Sequence, residues 1–120
     1  MTSYAQTIAS QSKLKQRLGA VLLKHGRVIG AGHNQLRHQS TLQTDHWSGS
    51  LHAEIACILD ALRKTDLKTI KGSTLMVVRL KADGSMGLAL PCPACYDVIQ
   101  KMGIKKIMFS TNTGMSEIKV

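Results

Sequence analysis

The chain has 120 residues, which is enough for one hydrophobic core but too few for a second module, so a single domain over residues 1–120 is predicted. Sixteen Lys and Arg against seven Asp and Glu give a formal net charge of +9, which attracts polyanions such as nucleic acids and nucleotides. A generic single-strand binder needs several exposed rings for base stacking, and the sequence holds only four aromatic residues, Tyr4, Trp47, Tyr96 and Phe109.

The first predicted element is an amphipathic helix over residues 4–16, in which small apolar residues share one face at helical spacing. Two apolar segments follow, residues 18–24 and 27–31, and the short turn between them predicts a β-hairpin. The polar stretch 32–50 has no periodicity. We predict that it is a long loop, and loops of this length in small domains are usually functional.

The second half of the chain begins with a strongly amphipathic segment over residues 51–64, which predicts a helix with Ser50 as its N-cap. Residues 74–80 form a nearly continuous apolar run, typical of a central strand that is covered on both faces. A turn is predicted over residues 82–85.

The remaining elements are a helix, a strand and a last strand. Pro93 suits the first position of a helix over residues 93–102. Residues 104–110 then form a strand, and residues 115–120 return as another after a turn. Helices that alternate with strands in this order predict an α/β layered domain around one central sheet.

Composition also bears on the cellular compartment. No stretch approaches the roughly eighteen apolar residues of a membrane span, and the first dozen residues are polar, unlike a secretory signal. The three cysteines, Cys57, Cys92 and Cys95, are an odd number that suits reduced thiols better than a disulfide framework. We therefore predict a cytoplasmic protein with no membrane partner.

Two short motifs contain the residues that can bind a metal or take part in catalysis. His52 opens one predicted helix, and the run Pro-Cys-Pro-Ala-Cys at residues 91–95 opens another. Zinc prefers neutral imidazole and thiolate ligands in a tetrahedral arrangement, and a Cys-x-x-Cys at a helix start places both sulfurs on one side of the first turn. His52, Cys92 and Cys95 would give one Zn²⁺ ion three protein ligands and leave a fourth position for water, as in catalytic sites.

Glu54 is the predicted catalytic residue. It lies two residues after His52, on the same first turn of the predicted helix. Zinc lowers the pKa of its water to about 7, and a carboxylate within reach can take the proton and deliver it to a substrate.

The pattern His-x-Glu followed by Pro-Cys-x-x-Cys resembles the cytidine deaminase-like superfamily, which includes cytidine, deoxycytidylate, guanine and tRNA adenosine deaminases. Gly32-His33-Asn34 is similar to the Gly-x-Asn that ends the second strand in many members. The resemblance implies a three-layer α/β/α fold with a central mixed five-stranded sheet, one zinc ion per chain and a homo-oligomer. It also implies that Asn34 hydrogen-bonds the sugar or base, and that the backbone N–H of Ala53 meets a carbonyl of the base.

Two features point to different branches of this superfamily. Free-cytidine deaminases generally have Cys as the first ligand and Arg-Gln after the second zinc cysteine, whereas this chain has His52 and Tyr96-Asp97. That difference favours the deoxycytidylate and tRNA-type branches, which place another helix after the fourth strand. Only ten residues follow Ser110, too few for such a helix. We therefore predict an antiparallel last strand, as in the free-nucleoside branch.

Several alternatives stay open. Cys-Pro-x-Cys at a helix start also occurs in thioredoxin-like redox proteins, although the pair there lies early in the fold. A structural zinc site would need a fourth ligand, and Cys57 is expected to face the core instead.

Trp47 either forms a wall of the substrate pocket or covers the sheet. The basic surface would serve a polynucleotide or a phosphorylated mononucleotide, and the short chain with few aromatics favours the mononucleotide.

From these observations we predict a zinc-dependent hydrolytic deaminase that converts the amino group of a nucleobase to a carbonyl and releases ammonia. Cytosine is the favoured base, and the substrate is a small-molecule nucleoside or nucleotide. One alternative is a polynucleotide-editing deaminase that acts on cytosine or adenine in single-stranded DNA or RNA. The other is a catalytically inactive zinc-binding protein with the same fold.

Overall fold

The computed structural model describes residues 2–36 and 50–120. It begins with helix α1 (Thr2–Ser10), followed by the hairpin strands β1 (Arg17–Lys24) and β2 (Arg27–His33). The predicted hairpin is confirmed, with its two turn residues at positive φ as tight hairpin turns require. Helix α1 ends six residues earlier than predicted, because the chain after it turns to bond the end of β2.

The segment between β2 and the long helix differs from the prediction. Two-residue strands β3 (Gln35–Leu36) and β4 (Ser50–Leu51) pair antiparallel, and helix α2 (Ala53–Lys64) starts after them with His52 at its N-cap. The prediction of Ser50 as the N-cap is wrong, because its backbone is extended in the β3–β4 pair. Trp47, predicted to wall the pocket or cover the sheet, lies outside the described residues.

The remaining elements follow the predicted order, with two short additions. They are α3 (Leu67–Ile70), β5 (Thr74–Leu80), β6 (Met86–Gly87), α4 (Pro93–Lys101), β7 (Lys106–Thr111) and β8 (Gly114–Lys119). The chain leaves α4 through Gly103 at a φ of 76°, a left-handed conformation that glycine adopts without steric cost. The sequence did not predict α3 and β6, since four-residue and two-residue elements carry too little periodicity to detect.

The main sheet runs in the order β2-β1-β5-β7-β8, and β6 pairs with β5 as a short sixth strand. Strands β5 and β7 are parallel, whereas β8 pairs antiparallel with β7. The mixed sheet and the antiparallel last strand are therefore confirmed. The expected count of five strands holds for the continuous path across the sheet, and β6 adds to it at one end of β5.

Helices cover both faces of this sheet, as expected for three α/β/α layers. On one face, α1 packs its small residues against β1 and β5 through Val21, Met76 and Val78. On the other face, α2 and α4 pack against Leu22 and Val77. Alternating residues of the same strands thus enter opposite layers, as the two-residue period of a strand requires. Among the described residues, no helix is long and apolar enough to span a membrane.

One end of the sheet gathers the segments that matter for function. The start of β1 lies beside the end of β5, where Arg17 pairs with Leu80. The end of β2 lies there too, and α2 runs back along β2 so that its N-terminus reaches the same end. Glycines allow this approach, since a Cβ on Gly32 would lie 2.5 Å from the backbone nitrogen of Cys57.

Replacing Gly32 by Ala is expected to lower the free energy of unfolding by about 2–3 kcal/mol, because the added methyl group meets rigid helix backbone. Urea denaturation of the apo protein measures the effect. Gly87→Ala is the matched control, since its Cβ would meet only the flexible side chains of Lys81 and Arg79, at 3.3 Å or more. Equal stability losses in the two variants would contradict this account of the α2–β2 contact.

Candidate active site

Three metal-binding side chains meet where α2 and α4 begin. The Nδ1 atom of His52 lies 3.2 Å from Sγ of Cys95 and 3.7 Å from Sγ of Cys92. The ligand atoms of all three residues lie within 4.8 Å of one another. The structure therefore brings together, from two separate helices, the residues that the sequence predicted as zinc ligands.

The start of α4 fixes the two cysteines. Cys92 is the N-cap, and its sulfur accepts a hydrogen bond from the backbone N–H of Cys95 at 3.5 Å. Pro93 occupies the first helical turn, where a missing N–H costs nothing. The Cys95 side chain is fully buried against Ile55 of α2. Capping and packing thus hold both sulfurs toward the start of α2.

The donor set fits a zinc ion. A tetrahedral Zn²⁺ with the usual bond lengths needs an N–S separation of about 3.6 Å, and the two observed separations lie on either side of that value. Both cysteines are free of disulfides. Burial, and then the negative charges of Glu54 and Cys92, raise the pKa of the Cys95 thiol above its usual range. A cation is what converts such a thiol to the thiolate that binds metal.

Cys57 is not part of this group. It is fully buried in the main core cluster, and burial raises its thiol pKa well above the usual range. Within the described ranges, the metal-binding group contains only His52, Cys92 and Cys95. The alternative of a structural site with Cys57 as a fourth ligand therefore finds no support in the geometry.

Glu54 lies beside the ligand set on the first turn of α2. Its side chain is 4% exposed, and burial raises its pKa from 4.5 to about 7, against an opposing backbone hydrogen bond. A carboxyl group in this range can both release and accept a proton near neutral pH. Such a group has the properties that a proton shuttle needs.

His52, Cys92 and Glu54 line a cavity of about 230 Å³. Its described walls come from four segments that are far apart in the sequence: Gln16 and Leu18, Asn34, residues 52–54, and Leu90 with Cys92. Ala53 is the first residue of α2, where backbone N–H groups have no partner within the helix. The predicted contact from the Ala53 N–H to a substrate therefore has the right location.

Asn34 also lines the cavity, but its side chain is already engaged. Its Oδ1 accepts a hydrogen bond from the Leu18 N–H at 2.9 Å, and its Nδ2 donates to the Gln16 carbonyl at 2.5 Å. Each end of the amide keeps one further hydrogen-bonding position. Asn34 thus fixes the Gln16–Leu18 wall and could bond a substrate only through the two hydrogen-bonding positions of its amide that remain.

Sequence reasoning missed Gln16, Leu18 and Leu90 as cavity residues. Leu90 lies two positions before Cys92, so proximity to the motif is the one signal that pointed to it. Gln16 and Leu18 carry no such signal, because the tertiary hydrogen bonds of Asn34 bring them to the site.

Comparison with known proteins agrees with the site. Residues 1–111 match the family described as the cytidine and deoxycytidylate deaminase zinc-binding region. No curated protein sequence gives a significant match.

Several solved structures share the fold. The dCMP deaminase of cyanophage S-TIM5 is 22% identical, with a TM-score of 0.67 over 91% of this chain and 78% of that one. The cytidine deaminase of Burkholderia pseudomallei is 17% identical, with a TM-score of 0.69 over 98% and 87%. A bifunctional diaminohydroxyphosphoribosylaminopyrimidine deaminase/reductase of Thermotoga maritima is 25% identical, with a TM-score of 0.59 over 92% and 28%.

Proposed function

This chain belongs to the cytidine and deoxycytidylate deaminase zinc-binding family, and on that premise we propose that it hydrolytically deaminates a nucleobase, with cytosine favoured, in a small-molecule nucleoside or nucleotide. The observation that carries the proposal is the position of Glu54. Its carboxyl group is the only one among the described residues of the cavity, and two of the three metal-binding residues, His52 and Cys92, line the same cavity. A proton-transfer group and a Lewis-acid site in one cavity are what hydrolysis of an amino group requires.

His52, Cys92 and Cys95 would hold the zinc ion. Bound there, zinc supplies Lewis acidity and makes water a nucleophile near neutral pH. The protein contributes a fixed donor set, since the cap of α4 and the buried packing of Cys95 position the sulfurs in advance. With three protein ligands, a tetrahedral zinc ion would have one position left for water.

Glu54 would move the protons. The overall reaction forms one C–O bond and breaks one C–N bond, and of the two protons of water one ends on the ring nitrogen and one on ammonia. The carboxylate of Glu54 can accept the first proton and deliver it to the ring nitrogen, then accept the second and deliver it to the leaving amine, provided that the base lies within hydrogen-bonding distance. Burial of Glu54 supports this role because it excludes competing bulk water.

The cavity walls would orient the base. The Ala53 N–H would donate to a base carbonyl, and Asn34 would use its remaining hydrogen-bonding positions for the sugar or base; both residues line the cavity, which supports this role. Leu18 and Leu90 add apolar surface to the cavity lining, which suits the faces of a flat ring. A contact from Trp47 remains a prediction.

The walls come from segments spread between residues 16 and 92, so we propose that the whole chain acts as one domain. The metal-binding thiols need a reducing compartment, in agreement with the predicted cytoplasmic location. A homo-oligomer also remains a proposal.

Ammonia release from a panel of substrates tests the function. The panel contains cytidine, deoxycytidine, their monophosphates, adenosine and guanine, beside single-stranded DNA and RNA oligonucleotides. We expect turnover of free cytosine compounds. Turnover of oligonucleotides alone would instead show an editing deaminase, and no turnover by the zinc-loaded protein would show an inactive zinc-binding fold.

A further inference from the structure

The connector between α1 and β1 ends at Gln16, which lines the cavity, and hydrogen bonds hold it in place. We define it as residues 11–16. The Ser12 hydroxyl donates to the Asn34 carbonyl at 2.9 Å and accepts from the Leu14 N–H at 3.2 Å. At the other end, the Gln16 carbonyl accepts from the Asn34 side chain. The connector is thus fixed to the cavity wall at two points, although its other side chains are largely exposed.

This connector carries positive charge that no described acid neutralises. Lys13 and Lys15 are exposed, and the guanidinium of Arg17, next in the chain, donates to the Lys81 carbonyl at 2.7 Å, which brings a further lysine nearby. The ion pairs in the described part of the chain involve other cations. The first 44 residues contain no Asp or Glu at all.

Lys13 and Lys15 lie three and one residues before Gln16 and are not part of the described cavity lining. The described lining of the cavity contains no lysine or arginine, and its one carboxyl group, on Glu54, lies beside the ligand set. A base that reaches Glu54 must therefore leave its sugar directed toward the opening, where Gln16 is exposed. Any anionic group on that sugar would reach the region of the connector.

Accepting the proposed function, we infer that the substrate is a nucleoside monophosphate whose phosphate binds at Lys13 and Lys15 of the connector. The phosphate dianion gains from two unpaired cations on an anchored backbone, which lose less conformational freedom than cations on a free loop. A polynucleotide fits less well, since the whole sequence holds only four aromatic residues on which flanking bases could stack.

The test compares deoxycytidine with its monophosphate in three proteins: wild type, Lys13→Glu/Lys15→Glu, and a control with the same change in net charge. The control is Lys105→Glu/Lys119→Glu, whose exposed lysines lie at the opposite end of the sheet. In wild type, kcat/KM for the monophosphate should exceed that for the nucleoside at least about ten-fold. The connector variant should lose this preference and the control should keep it.

Ionic strength gives a second readout. Raising NaCl from about 0.05 M to about 0.5 M should lower kcat/KM for the monophosphate in wild type but leave the nucleoside unchanged, because salt screens exposed charges. Equal turnover of the two compounds, equal losses in both variants, or turnover of oligonucleotides alone would overturn the inference. If nothing is turned over, the proposed function fails. In that case, calorimetry of the binding of both compounds tests the inference about the phosphate, and we expect the monophosphate to bind more tightly.

A different observation concerns the segment that leads into Cys92. Ser110 of β7 is fully buried, and its hydroxyl accepts from the Arg79 N–H at 3.0 Å and donates to the Gly87 carbonyl at 2.6 Å. Its carbonyl accepts from the Ala89 N–H at 3.0 Å. The Ser110 side chain and the Ser110 carbonyl thus bind residues 87–89 to the end of β7.

These hydrogen bonds hold the segment directly before the functional residues. Leu90, which lines the cavity, follows Ala89, and Cys92 is two residues further on. Leu88 and Leu90 are more than half exposed, so packing of their side chains does little to fix the segment. The geometry points to Ser110 as a positioning residue, which holds the chain before Cys92 and thereby preorganises the metal-binding group.

Ser110→Ala should weaken zinc affinity about ten-fold, at the lower end of effects seen for groups that orient metal ligands. Chelator competition measures the affinity, and hydrogen exchange of the apo protein should show faster exchange at residues 87–92. Ser73→Ala is the control, because Ser73 is equally buried and its hydroxyl has no hydrogen-bond partner in the described structure. Should Ser110→Ala fail to fold, Ser110→Cys weakens the same bonds at similar volume.

Ser110→Thr keeps the hydroxyl and should restore zinc affinity and local exchange toward wild type. Zinc affinity in Ser110→Ala equal to that in Ser73→Ala would overturn the assignment. Uniformly faster exchange over the whole chain, with no excess at residues 87–92, would also overturn it.

Discussion

Glu54→Gln is expected to lower kcat for deamination about 10³-fold, within the usual range for loss of a general acid–base group. The substitution keeps the size and the polar character of the side chain but removes its ability to exchange a proton. Zinc content should stay at wild-type level, since Glu54 is outside the predicted ligand set. Initial rates of ammonia release and zinc per chain in the same preparation measure both effects.

The matched control is Glu117→Gln. Glu117, on β8, is the only other glutamate of the chain. It forms an exposed ion pair with Lys106 of β7, a type of pair that contributes little to stability. Its replacement should leave kcat unchanged. Wild-type turnover in Glu54→Gln would contradict the proposed mechanism, whatever the zinc content.

Cys92→Ser is expected to release zinc and to remove activity with it. A structural site with four ligands binds zinc with roughly 10–16 kcal/mol, so loss of one of the two thiolates in a set of three protein ligands should weaken binding about 100-fold or more. Because zinc binds the folded chain, wild-type protein should melt at lower temperature when a chelator is added. The variant should melt at the same temperature with and without the chelator.

Cys57→Ser separates this effect from damage to the core. Cys57 is fully buried among apolar side chains of the main cluster, so a hydroxyl there should cost about 1–3 kcal/mol of stability. Zinc content and the response to chelator should nevertheless match wild type. Zinc loss in Cys57→Ser, or full zinc retention in Cys92→Ser, would contradict the assigned ligand set.

The metal-binding group was predictable because each half of it is local. His52 and Glu54 share one helical turn, and Cys92 and Cys95 share another, so spacing along the chain already fixes their directions. The start of α4 could also be predicted from the sequence, because Pro93 suits the first position of a helix. Only the meeting of the two helix ends depends on the tertiary fold, and the family pattern supplied that step.

The cavity wall was not predictable, because it depends on contacts between distant segments. Asn34 was expected to contact the substrate, and in the structure half of the hydrogen-bonding positions of its amide are used by the backbone of Gln16 and Leu18, a role that the sequence did not show. Ser12 of the segment after the first helix bonds to the same residue. Ser50 was expected to cap α2, but pairing of β3 with β4 holds its backbone extended. For the first helix and for Ser50, tertiary contacts override a local preference.

Zinc titration of the metal-free protein tests the central claim most directly, because it joins the metal, the cavity and the reaction in one experiment. Chelator-treated protein receives increasing Zn²⁺, and ammonia release from the preferred cytosine substrate is measured at each step. The account predicts that activity is absent at the start, rises linearly with bound zinc and stops rising at one ion per chain. Activity that is independent of zinc, or no activity in the fully loaded protein, would contradict it.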